Sequence, residues 1–325
     1  MREFIIKSSE NGLTLEKYTF KVLKNAPMSF VYKIFRKKDI KVNGHHEDKK
    51  YRLKEGDAVA IYISDTQFDE FIKDKELTPN TKIKDWIVYE DQNVLFVNKP
   101  SGLLVQKSSP NDESLDQLVI EYLIATNQYN PNEEKGFVPG PAHRLDRNTS
   151  GLVAFGKNHD SLNQLFELFK NHDLINKHYL ALVVGQVEKE KGAIDAPLKK
   201  DEENNIVTVS KGGKPAKTVY KLIKRYQDYS LLDVTLLTGR THQIRVHLAY
   251  IDHPIVGDNK YGNFEANRIF KQKYGLNTQF LHAYKMGFGD LPMPLANLSR
   301  QEFVAEPRED IANILNALDN NNEEK

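Results

Sequence analysis

The chain sets a dense polar run, His143-Arg144-Leu145-Asp146-Arg147-Asn148-Thr149-Ser150, directly before an apolar strand, Leu152-Val153-Ala154-Phe155. This junction restricts the fold more than any other feature, because an ionised carboxylate beside buried surface is costly unless paired. The strand must enter a core while the charges before it stay at its rim, within reach of cations. Arg144 and Arg147 flank Asp146 and could pair with it, keeping the carboxylate ionised and nucleophilic. A structural salt bridge at the start of a strand fits the same residues, and on local pattern alone it is the simpler reading.

Apolar spacing sets out the other elements. From Thr14, a good N-cap, Leu15, Tyr18, Val22 and Leu23 recur at helical spacing. After Pro27, a second helix capped by Ser29 carries Val31, Ile34 and Phe35, with Lys33, Arg36 and Lys37 on its other side. A strand at 40–42 reaches the turn pair Asn43-Gly44, and a turn at Glu55-Gly56-Asp57 precedes the alternating Val59, Ile61 and Ile63. Strands follow at 87–89 and 94–97, then a long loop over 125–141 containing three prolines. Asp160 is placed to cap a helix bearing Leu162, Leu165, Phe166 and Phe169. A strand at 179–184, an exposed hairpin or loop over 199–217, strands at 218–226 and 230–237 and a helix capped by Thr241 complete the pattern.

Residues 64–84 are polar and mixed in composition, and the linker is placed at 71–84. It separates a module of residues 1–70 from a domain of residues 85–312, and residues 313–325 read as a disordered tail. Net charge is only +1, yet residues 1–63 hold 14 Lys and Arg against 8 Asp and Glu, a net of +6. A basic module on a near-neutral body suits an RNA-binding appendage, and a solvated lysine-rich surface suits it equally well. The absence of cysteine removes disulfides, thiol catalysis and cysteine-ligated zinc. No run nears the roughly eighteen apolar residues of a membrane span, and the opening residues lack the pattern of a signal peptide. A cytoplasmic monomer with no membrane partner is expected.

The histidines offer no metal site. His242 and His247 fall on different faces of their helix, and the adjacent His45 and His46 diverge. No metal or cofactor is expected.

Beyond the first junction, the string His143 to Leu152 resembles the signature motif of the RluA-type pseudouridine synthases, a family acting on ribosomal and transfer RNA. The resemblance continues in Asn98-Lys99-Pro100-Ser101-Gly102-Leu103, Lys177-His178-Tyr179 and the segment Gly239 to His247, and in Pro254-Ile255, Gly257-Asp258, Tyr261-Gly262 and Leu281-His282-Ala283. These ordered motifs cover roughly residues 87–290. The N-terminal module resembles the alpha-L RNA-binding domain in the basic stretch Phe30 to Lys38, in Ile40 to Gly44 and in the Glu55-Gly56-Asp57 turn.

The resemblance implies roles residue by residue. Asp146 falls on the catalytic aspartate, which releases uracil from ribose by attack on the sugar or by assisting elimination. Tyr179 falls on the tyrosine that packs on the target base and is implicated in the final proton removal. Arg245 falls on the basic partner of the aspartate. Arg144 matches the arginine that fills the space of an extruded nucleotide, a step that costs a few kcal/mol of unstacking. His143, Thr149, Lys177 and His242 are expected at the substrate site, and Lys33, Arg36, Lys37 and Lys38 on RNA phosphates.

The expected fold is thus α+β, a catalytic domain on a mixed, largely antiparallel sheet preceded by a small α+β RNA-binding domain. The expected activity is isomerisation of specific uridines in large-subunit ribosomal RNA. Three rivals stand: a synthase for transfer RNA, a non-catalytic RNA-binding or ribosome-assembly protein, and a glycoside hydrolase with paired carboxylates.

Overall fold

The charged junction before residue 150 does open a fully buried strand, and the elements around it follow the apolar spacing closely. The computed structural model describes residues 1–72, 78–108, 112–171, 173–201 and 203–323. In chain order they form β1 Arg2–Ile5, α1 Leu15–Val22, α2 Met28–Arg36, β2 Ile40–Val42, β3 Ala58–Ile61, α3 Asp65–Ile72, β4 Ile87–Glu90 and β5 Val94–Lys99. Next come α4 Leu115–Ala125, β6 Gly140–Pro141, β7 Ser150–Gly156, α5 His159–Asn171, β8 Ile175–Val184, β9 Lys191–Asp195, β10 Leu198–Asp201 and β11 Ile206–Val209. The chain ends with β12 Lys217–Arg225, β13 Tyr229–Leu236, α6 Gln243–Tyr250, α7 Phe264–Tyr274, β14 Leu281–Phe288, β15 Glu302–Val304 and α8 Glu309–Glu323.

Two units are distinguishable. One comprises Met1–Leu95, Asp116–Ala142 and Ala154–Phe166; the other comprises Phe96–Leu115, His143–Val153 and Glu167–Lys325. In the first, β1, β3 and β2 make a three-stranded sheet in that order. Its core gathers Leu15, Tyr18 and Val22 from α1, Ile34 from α2, and Val59 and Ile61 from β3. Phe68 and Phe71 join that core from α3, so a helix occupies residues 65–72 where composition suggested a polar linker. Residues 73–77 of the expected linker lie outside the described part. Phe137, from the proline-containing loop, belongs to the same core, which residues 1–70 therefore do not close alone.

The large sheet runs β4-β5-β7-β14-β8-β13-β12-β9, with β6 on β7 and β15 on β14. β7 lies parallel to β14, while β8, β13, β12, β9 and β15 are antiparallel to their registered neighbours. The fold is α+β on a mixed sheet, as the sequence implied. The polar C-terminus is helical through Glu323 rather than disordered, because Ile311, Ile314 and Leu318 form a buried stripe on α8. Residues 324 and 325 of the expected tail are outside the described part.

Helix starts show where local chemistry was misread. Thr14 does cap α1, accepting from the Lys17 amide at 3.3 Å. The cap of α2 is Pro27, not Ser29. For α5, Asn158 rather than Asp160 takes the Ser161 amide at 2.9 Å. At α6 the cap position is His242, in the left-handed region with φ 54°, not Thr241. Among the described residues no helix is long and apolar enough to cross a membrane.

Candidate active site

The loop that carries Asp146 is held through its Arg147 and Asn148 carbonyls by the end of β5 and the segment that follows it. Lys99, at the end of β5, is wholly buried and donates from Nζ to the carbonyls of Pro100 at 2.9 Å, Leu103 at 2.8 Å and Arg147 at 3.0 Å. The Arg147 carbonyl also accepts from the Gly102 amide at 3.0 Å. Gly102 has φ 85°, which favours glycine there. Ser101 adds a bond from Oγ to the Asn148 carbonyl at 2.9 Å. Burial pulls Lys99 down to about 7, with the negative charge of Asp146 opposing the shift. The Lys-Pro-Ser-Gly segment thus fixes the backbone on which Asp146 stands.

Asp146 is paired, though not by its sequence neighbours. Arg144 is exposed, and Arg147 reaches Asp112 at 3.6 Å instead. The partner is Arg245 of α6, whose Nη1 donates to Asp146 Oδ2 at 2.9 Å. Arg245 is itself clamped by Asp258, with Nε to Oδ2 at 2.7 Å and Nη2 to Oδ1 at 2.9 Å. Burial alone would weaken the Arg245 charge, but the bonds and charge of Asp258, then Asp146, raise its pKa instead. Burial likewise penalises the Asp258 carboxylate, yet Arg245 and the amides of Lys260 and Tyr261 hold it below its ordinary value. A two-pronged clamp of this kind fixes direction as well as charge. Asp146 keeps 29% of its side-chain surface exposed, so the carboxylate is anchored on one oxygen and open to a ligand.

The start of α6 is set by Gln243. Its Oε1 accepts from Thr238 Oγ1 at 2.9 Å and the Arg240 amide at 3.0 Å, and its Nε2 donates to Thr218 Oγ1 at 3.0 Å. That arrangement brings His242 near Asp146, with Nε2 3.9 Å from Oδ2. His242 Nδ1 lies 2.9 Å from the Tyr261 hydroxyl. Burial lowers the His242 pKa, Asp146 opposes this, and Arg245 adds to it. His247, on the same helix, is a satisfied core residue between Thr218 Oγ1 at 2.8 Å and the Ala196 carbonyl at 2.9 Å.

Other expected residues divide. Tyr179 on β8 is 7% exposed, and burial, followed by the charge of Asp146, raises its phenol pKa. Lys177 lies 5.2 Å from the Phe169 ring centroid, and His143 stacks on that ring at 4.0 Å. Burial brings Lys177 to about 8; burial and then Lys177 bring His143 to about 3, leaving it neutral. Thr149 is turned inward, its hydroxyl accepting from Gln279 at 3.1 Å, so it does not face a ligand. In the first unit Lys33, Arg36, Lys37 and Lys38 are all exposed. Lys33 and Lys37 border a cavity of about 360 Å³ lined in part by Phe30, Asp39 and Tyr62. Residue-by-residue reasoning missed Asp258, Tyr261 and the anchoring role of Lys99; their motif order was the available signal.

A model of the RNA pseudouridylate synthase family matches residues 93–250, a span holding Asp146, Tyr179 and Arg245. The ribosomal large subunit pseudouridine synthase C of Vibrio vulnificus (strain CMCP6) is 36% identical over 285 residues, 85% of each chain. The chain belongs to the RNA pseudouridylate synthase family. The protein of the same description from Escherichia coli (strain K12) is 36% identical to this synthase over 288 residues, 87% of each chain. Human RNA Pseudouridylate Synthase Domain Containing 4 shares the fold, with a TM-score of 0.58 over 73% of this synthase and 94% of that chain at 22% identity. The resemblance to RluA-type synthases therefore holds, and the synthase is an isomerase rather than a glycoside hydrolase.

Proposed function

We propose that this synthase converts specific uridines of large-subunit ribosomal RNA to pseudouridine, with Asp146 as the reacting carboxylate. The observation that carries the reading is the anchored pair: Arg245, itself clamped by Asp258, holds Asp146 Oδ2 at 2.9 Å. Such a carboxylate is paired with a cation, directed and accessible, as either nucleophilic attack at C1′ or assisted elimination requires. The N1–C1′ bond breaks, the base turns, a C5–C1′ bond forms, and the C5 proton is lost while N1 gains one. Nothing is oxidised or reduced. Tyr179, whose phenol stays protonated at neutral pH, packs against the base as a neutral ring. Lys177 and His143, gathered on the Phe169 ring, serve the approach of the base in this reading. Arg144, exposed and unpaired among the described residues, suits the space of the extruded nucleotide. The ribosomal target is supported by what the Vibrio and Escherichia relatives are said to act on.

The test is pseudouridine mapping on undermodified ribosomal RNA with the wild type and Asp146→Asn. Product at discrete positions from the wild type alone supports the reading. Equal product from folded Asp146→Asn removes Asp146 from the chemistry, and product on transfer RNA only moves the substrate.

The N-terminal lysines serve RNA docking in this reading. Replacing Lys33 and Lys37 with Gln should weaken binding and shallow its salt dependence by about one to two counterions. An unchanged salt slope would assign docking elsewhere.

A further inference from the structure

Among the described residues, the Tyr261 hydroxyl has one acceptor within reach of its proton, His242 Nδ1. Its oxygen accepts from the Val207 amide at 2.9 Å and lies 2.9 Å from His242 Nδ1. If His242 Nδ1 carried the proton, the phenol oxygen would receive two donors and its own O–H would need an acceptor. The described residues provide none. With Tyr261 donating, the hydroxyl and Nδ1 are both satisfied: Nδ1 accepts, and the imidazole proton sits on Nε2. Nε2 is the nitrogen that faces Asp146 Oδ2, 3.9 Å away. A closure of about 1 Å would complete that hydrogen bond.

We infer that Tyr261 is a positioning residue which sets His242 as its neutral Nε2–H tautomer, giving Asp146 Oδ2 a second donor beside Arg245 and leaving Oδ1 for the sugar. The inference rests on the reading of Asp146 as the reacting carboxylate. Arg245 and His242 approach the same oxygen, and both are set from one turn: Asp258 clamps the first and Tyr261 orients the second. The turn is closed by Asp258 Oδ1, which accepts from the amides of Lys260 at 2.9 Å and Tyr261 at 3.1 Å. It is also tied to the β10–β11 hairpin, through the Val207 amide on Tyr261 and Lys260 Nζ on the Asn205 carbonyl at 2.6 Å. The charged groups facing His242 are Asp146, Arg245, Lys260 and Asp258, and they act in opposing directions while burial keeps the ring neutral. Tyr261 stays protonated and able to donate, since burial raises its phenol pKa.

Two measurements on the full-length synthase test this. Long-range ¹⁵N–¹H correlation of the imidazoles should show His242 protonated at Nε2 in the wild type and a tautomer mixture in Tyr261→Phe. His242 protonated at Nδ1 in the wild type would overturn the inference. In single-turnover assays, Tyr261→Phe should lose roughly tenfold in rate with RNA affinity nearly unchanged. An unchanged rate would overturn the inference too.

The second variant pair separates hydrogen bonding from backbone strain. His242 has φ 54°, a region Asn tolerates better than Gln. The Gln amide nitrogen reaches the Nε2 position, and that of Asn does not. His242→Gln should therefore keep more activity than His242→Asn, and the reverse order would make His242 a backbone feature only. If Asp146→Asn stays active, the parent reading fails; if only the Tyr261 and His242 outcomes fail, the parent reading stands and the tautomer assignment falls.

Discussion

Two carboxyl groups, one in each unit, are buried almost completely, and their pKa values are shifted in opposite directions. Asp258 is 1% exposed on its side chain and bears a two-pronged guanidinium from Arg245 together with the amides of Lys260 and Tyr261. Glu10 is 0% exposed and accepts from the Gly136 amide at 2.6 Å and the Lys7 amide at 3.0 Å. Burial pushes both carboxyls up, but Arg245 reverses the shift at Asp258. At Glu10 the two amides do not, and the charge of Glu134 adds to the rise while Lys21 only moderates it. The pair shows that neutral donors leave the desolvation of a carboxylate partly uncompensated, whereas a clamped cation overcomes it. In the second unit that compensation does more than stabilise. It fixes the guanidinium that in turn fixes Asp146.

The largest effect should come from removing the cation. Arg245→Met leaves Asp258 buried without its partner, and breaking a buried pair costs about 3–5 kcal/mol. Urea unfolding should show that loss, and pseudouridine formation should stop even under conditions where the variant stays folded. Arg245→Lys keeps the charge but not the fork, so it should recover much of the stability and little of the activity. Full activity in Arg245→Lys would mean that charge alone, not its direction, serves Asp146.

Much of this arrangement was legible in the sequence, unevenly. The motif order led to Asp146, Tyr179 and Arg245; the strands expected at 218–226 and 230–237 match β12 and β13 to within one residue, while the apolar run at 179–184 misses the first four residues of β8. The counterion of Asp146 could not be found locally, because its nearest arginines in sequence point elsewhere and the true partner arrives from α6. Asp258 and Tyr261 act on residues well before them in the chain, through contacts that no helical or strand period encodes. Helix α3 was hidden because Phe68 and Phe71 are its only buried residues amid polar ones, and the core they enter is tertiary. Helix α8 was hidden by its Asn and Asp content, although Ile311, Ile314 and Leu318 had helical spacing all along. Composition outweighed periodicity in both cases, and periodicity was the better guide.

The smallest effect, and the most direct test of the contrast, lies at Glu10. Its folded pKa is raised above the unfolded one, so its contribution to stability is fully present below the unfolded pKa. That contribution is lost as pH rises through the raised folded value. Asp258 behaves oppositely, contributing above its unfolded pKa and losing that contribution as pH falls through the depressed one. Glu10→Gln keeps an oxygen for the Gly136 amide while removing the titration. Thermal unfolding of the wild type and Glu10→Gln, compared from about pH 4 to about pH 8, isolates the Glu10 contribution because Asp258 is common to both. The single tryptophan, Trp86, lies in the same unit as Glu10 and supplies the fluorescence signal. Relative to the wild type, the variant should gain stability as pH rises, and the two should converge toward acid. Parallel curves would mean that folding leaves the proton affinity of Glu10 unchanged, and the contrast between the two carboxylates would then rest on Asp258 alone.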